Sequence, residues 1–94
     1  MKIERKRDLW DLIDATPGMT QGMILDQLRR RHWTGHYFGV YGFMSKLFGP
    51  HLIELRIMLA MMVYDHQLVS YFIEDGLPRE TQNMRYRTEE GERP

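Results

Sequence analysis

No cysteine occurs in this chain, so neither a disulfide framework nor a thiolate metal site is available to it. Long apolar runs are missing as well. The longest, IMLAMMVY, falls far short of the roughly 18 consecutive apolar residues that a membrane span needs. The amino terminus, MKIERKRDLW, carries charge where a signal peptide would be apolar. The expectation is a soluble, cytoplasmic protein with no membrane partner. A charge excess is absent too: 13 basic residues meet 13 acidic ones, whereas a dedicated nucleic-acid binder is usually net basic. The sequence also lacks a serine nucleophile elbow, a thiol and a phosphate-cradling glycine loop, so an enzyme is not expected and no cofactor is implied.

What is present suffices for one small domain. Its 94 residues are 43% hydrophobic and 12% aromatic, enough for a real but small core. Four histidines invite a metal site, but only His32 and His36 stand four apart, and they straddle a glycine; no metal is expected. Eight methionines are many for this length. They read first as adaptable core filling and second as a pliable partner-binding surface.

Four helices and a hairpin are predicted. Residues 4–15 put Leu9, Leu12 and Ile13 on one side at helical spacing, and Pro17-Gly18 ends that helix. Thr20 is a suitable N-cap for a second helix over 20–32, with Met19 placed to pack on Ile24 as a hydrophobic staple. Its stripe is Ile24, Leu25 and Leu28, and Arg29, Arg30 and Arg31 fall in its last turn, where the helix dipole favours positive charge. Those arginines read equally as a solvated helix end or as phosphate contacts. A third helix, 37–48, is weakened by glycines that each cost about 1 kcal/mol relative to alanine; an aromatic-rich loop is the alternative. A fourth, 50–66, starts at Pro50 and is apolar at nearly every position, so it must be covered all round, as a central strut or as half of a subunit interface.

After that, LVSYFIE alternates in the manner of a strand, DGLPRETQN has turn chemistry, and MRYRT resumes an extended pattern with Tyr86 on one face and Arg85 and Arg87 on the other. The predicted hairpin covers about 68–88, and the final EEGERP is expected to fray. The fold class is therefore mainly α with a small β-hairpin.

Three segments, GMTQGMILDQL, GVYGFMSKL and NMRYRTEEGER, together resemble winged helix-turn-helix transcriptional regulators, most closely the PadR and MarR kinds. The resemblance rests on the threonine opening the second helix, on Gly39, Tyr41, Met44 and Leu47, and on Tyr86, Arg87, Thr88, Glu89, Glu90 and Gly91 closing the wing. It implies a regulator that binds double-stranded DNA, and the difficulty of covering helix 50–66 in a monomer adds the expectation of a homodimer through that helix. The phosphate contacts it implies are Arg29, Arg30 and Arg31, with Arg79, Arg85 and Arg87 on the wing.

The recognition helix can be placed in two ways. A base-reading helix needs a polar face, which favours the earlier segment with His36, Tyr37, Tyr41, Ser45 and Lys46. Winged-helix connectivity favours the later helix, where His51, Glu54 and Arg56 would lead. A rival function is a protein–protein module that binds a partner through the aromatic segment 36–48, consistent with zero net charge and five tyrosines.

Overall fold

A computed structural model describes residues 2–30, 52–89 and 93–94. Within them the chain is mixed α and β. Helix α1 (Lys2–Ala15) leads to a short strand β1 (Met19–Thr20) and helix α2 (Gln21–Arg30). Helix α3 (Leu52–Tyr64) follows, then strand β2 (Leu68–Tyr71), a single 3-10 turn (Thr81–Asn83) and strand β3 (Arg85–Thr88). The predicted helix 37–48 lies outside the described residues, as do the last positions of helix 20–32.

The three strands form one antiparallel sheet in the order β1-β3-β2. The predicted hairpin is present: Val69 pairs with Arg87 and Tyr71 with Arg85. Its first strand stops at Tyr71, three residues short of the predicted alternation, and a long loop takes over. That loop is held by local bonds. The Leu77 amide donates to Asp75 Oδ1 at 3.1 Å, Gly76 adopts φ +80°, and Asn83 Nδ2 donates to the Pro78 carbonyl at 2.9 Å.

Strand β1 has no counterpart among the predicted elements. Met19 pairs with Tyr86 and Thr20 with Arg85, so the sheet has one strand more than the hairpin. Thr20 serves twice, because its Oγ1 also accepts from the Met23 amide at 3.4 Å as the N-cap of α2. Gly18 makes this turn possible with φ +91°; a Cβ there would lie 3.2 Å from the Tyr71 hydroxyl.

One core joins the layers. Leu9, Leu12 and Ile13 of α1 meet Ile24, Leu25 and Leu28 of α2, and both meet Leu55, Met58, Leu59 and Met62 of α3 over Leu68 and Tyr86 of the sheet. Met19 and Ile24 are both buried there, as a staple requires. Helix α3 is not covered all round. Glu54, Leu55, Met58, Leu59 and Met62 are buried, while Ile53, Ile57 and Met61 are 41%, 37% and 38% exposed and Tyr64 is 84% exposed. Met58 and Met62 fill the core, whereas Met61 faces out.

The end of α3 is a Schellman turn. The Gln67 amide donates to the Met62 carbonyl at 2.8 Å and the His66 amide to Val63 at 3.1 Å. This puts His66 at φ +60°, a left-handed conformation costing a non-glycine residue roughly 1–2 kcal/mol. His66→Gly is expected to raise stability by about 1 kcal/mol after the extra chain entropy of glycine is subtracted, read as a higher urea midpoint at unchanged m.

Of the carboxyl-terminal residues expected to fray, Arg93 and Pro94 are tied to α1, and 90–92 lie outside the described residues. Arg93 makes paired bonds of 2.9 Å to both oxygens of Asp11, and Arg7 Nε donates to the Pro94 carbonyl at 3.0 Å. The hydrogen bonds from Arg93 hold the Asp11 carboxyl below its ordinary value of 3.8. A depressed folded value means that the pair stabilises the fold above that pH and loses its contribution as the pH falls through the folded value. Asp11→Asn should therefore lower the midpoint slightly at neutral pH and leave it unchanged in acid; the effect is small because both groups are about half exposed.

Candidate nucleic-acid interface

The arginines singled out by the sequence separate into distinct environments. Arg29 is exposed in the last turn of α2 with no carboxylate partner among the described residues. Arg30 is engaged: its Nε lies 3.0 Å from Asp26 Oδ2 one turn back, an exposed pair of modest worth. On the hairpin, Arg79 is exposed and stacks over Phe72 with its guanidinium carbon 5.8 Å from the ring centroid. Arg87 points outward, and its hydrogen bond to the Thr88 carbonyl is a marginal one at 3.5 Å.

Arg85 turns inward instead. Its Nη1 donates to the Gly18 carbonyl at 2.6 Å, and its Nε is buried without a hydrogen-bond partner among the described residues. It therefore ties β3 to the turn before β1, and is not available as a free phosphate contact in this conformation. Arg85→Ala is expected to destabilise the fold by about 1–3 kcal/mol because it strands the Gly18 carbonyl, whereas Arg87→Ala should stay within about 0.5 kcal/mol. Equal thermal midpoints for the two variants would refute this division.

Among the hairpin arginines only Arg85 is placed against α2, at the end opposite to Arg29 and Arg30. Arg85 sits beside Thr20 at its start, and Arg29 and Arg30 sit at its finish. At 1.5 Å per residue that separation is about 14 Å along the axis. Arg31, His36, Tyr37, Tyr41, Ser45, Lys46 and His51 lie outside the described residues.

Of the alternative placement led by His51, Glu54 and Arg56, the Glu54 assignment is corrected. Glu54 is fully buried, so it cannot meet a base edge. Arg56 is exposed, but its Nε donates to Gln21 Oε1 at 3.2 Å. The remaining outer face of α3 is apolar apart from the Tyr64 hydroxyl. Such a face supplies almost none of the donors and acceptors that a groove requires.

A cleft opens beside this helix, a feature with no sequence signal because it forms between elements distant in the chain. Its volume is about 410 Å³, and among the described residues it is lined by Arg56, Ala60, Val63 and Tyr64 of α3, by Ser70 and Tyr86 of the sheet, and by Thr81 and Met84. Burial pushes the Tyr86 phenol above its ordinary value of 10.0, and the neighbouring Arg56 charge opposes that rise.

Among the described residues no group of three histidine or acidic side chains could hold a metal, and no helix is long and apolar enough to cross a membrane. No family model matches this chain, and no curated protein or solved structure is significantly similar to it.

Proposed function

We propose that this chain is a small winged-helix DNA-binding regulator of transcription. The observation that carries the reading is the sheet order β1-β3-β2: the return strand of the long-looped hairpin lies in the centre and pairs with a strand set between the first two helices. Helix α3 runs directly into β2, as the last helix of such a fold does. In this reading Arg29, Arg79 and Arg87 contact phosphates, which position the protein without selecting sequence. Base recognition falls to the segment 36–46, because the outer face of α3 is too apolar to read base edges.

That face has a role in the same proposal. Ile57, Met61 and Tyr64 recur at helical spacing on the exposed side of α3, and a second copy of the chain covering them gives a homodimer. Ile57→Lys should leave the fold intact and yield a monomer by light scattering. A wild-type chain that is monomeric at high concentration removes the dimer without touching the fold.

The same apolar face favours a second reading, a protein–protein module that binds a partner, in keeping with zero net charge. A gel shift with random duplex at low and high salt separates the two. The regulator binds at low salt and releases as salt rises; absence of binding at low salt overturns it.

A further inference from the structure

The loop between β2 and β3 carries an exposed Asp75-Gly76 pair. An aspartate carboxyl carbon can close a five-membered succinimide ring with the nitrogen of the next residue, provided that nitrogen is neither hydrogen-bonded nor shielded by a side chain. The chain has six aspartates and one asparagine, and the fold sorts them by that condition. Asp8, Asp11, Asp14 and Asp26 lie inside α1 and α2, where the following amide donates to a carbonyl one turn back. After Asp65 the His66 amide donates to the Val63 carbonyl at 3.1 Å, and after Asn83 the Met84 amide donates to the Thr81 carbonyl at 3.2 Å. Of the seven, Asp75 alone is followed by an amide that makes no hydrogen bond among the described residues.

Gly76 brings no side chain to the encounter, and a Cβ placed there would meet nothing within 4 Å, so the surroundings are open as well. The Asp75 carboxyl is folded back along the chain. Its Oδ1 accepts from the Leu77 amide at 3.1 Å, and the ring closed by that bond contains both the Asp75 carboxyl carbon and the Gly76 nitrogen. The Leu77 donor also stands where negative charge gathers on Oδ1 when a nucleophile adds to that carbon, which lowers the barrier to addition.

We propose that Asp75 is a site of spontaneous isoaspartate formation in the folded protein. The Gly76 nitrogen bonds to the Asp75 carboxyl carbon, and Oδ2 leaves as water, carrying the amide proton and the acid proton. Water then adds to the succinimide. Attack on the Asp75 backbone carbonyl carbon breaks its bond to the Gly76 nitrogen and routes the chain through Cβ, leaving the former backbone carbonyl as a free carboxylate. Attack on the side-chain carbon restores aspartate. Water is released once and consumed once, so mass is unchanged and no oxidant or cofactor takes part. The product lengthens the backbone and removes the carboxylate that holds Leu77, in the loop that also carries Arg79. Its formation is measured without DNA, so failure of this assignment and failure of the regulator reading are distinguishable.

The test keeps the folded full chain at body temperature for several weeks, then treats its digest with a protein isoaspartate carboxyl methyltransferase and labelled S-adenosylmethionine, which marks the isomerised residue. Label should collect in the peptide that contains Asp75 and rise with time, and that peptide should elute as two species of equal mass. Asp75→Glu keeps the charge but lengthens the side chain beyond the favoured ring, and it should lose the label. A parallel incubation in urea separates the fold's contribution from that of the dipeptide: the folded chain should gain label at Asp75 at least as fast as the unfolded one. Three results overturn the proposal: no label at Asp75 in the folded chain, label shared equally with Asp65 or a helical aspartate, or label that forms at Asp75 faster in urea than in the folded protein.

Discussion

Leu59→Ala is expected to destabilise the protein by about 2–5 kcal/mol, the cost of a missing buried isobutyl group plus the cavity it leaves. Leu59 is fully buried and belongs to the single core that joins α1, α2, α3 and the sheet. Small domains are stable by only about 5–15 kcal/mol, so the loss is a large share of the whole. The thermal midpoint should fall by about 10 °C or more. Met61→Ala, two residues further along the same helix but 38% exposed, provides the control and should cost about 1 kcal/mol or less. Calorimetry on both variants checks the phase of α3 as well as its burial. Equal losses would mean that the helix is rotated from the orientation described above.

The second large effect concerns charge. Replacing Arg29, Arg79 and Arg87 together by alanine is expected to lower the steepness of log affinity against log salt for random duplex by about three, near 0.9 for each phosphate that is no longer neutralised. Over a fourfold rise in salt the wild-type chain should then lose about forty-fold more affinity than the variant. The fold should hardly notice, because all three side chains are exposed and none has a carboxylate partner among the described residues. An unchanged salt slope in a stable triple variant would remove these arginines from the interface. Arg30 and Arg85 are left out of the variant on purpose. The first is already paired with Asp26 and the second holds the Gly18 turn, so their loss would mix binding with local structure.

Local pattern carried a good part of this architecture. The spacing of Leu9, Leu12 and Ile13 and of Ile24, Leu25 and Leu28 marks two amphipathic faces, and both are buried. Thr20 announces the start of α2 through its side-chain oxygen. The alternation around Tyr86 gives the facing of the return strand, with the phenol inside and Arg87 outside. Candidate site residues were less legible. Sequence could name arginines but not tell Arg87, which is exposed, from Arg85, which is held by a backbone carbonyl 67 positions away.

What the amino-acid order determined by itself is the set of elements whose signal lies within a few neighbouring residues: two helices with one apolar face each, a helix cap, and a hairpin with a polar turn. Tertiary structure alone decided the third strand, the exposed face of α3 and the cleft beside it. A two-residue strand has no periodicity to read, and it exists only because Gly18 and Met19 reach the far side of β3. A helix that is apolar at nearly every position has no preferred face until its neighbours pack, and here Leu55, Leu59 and Met62 are inside because α1, α2 and the sheet meet on that side.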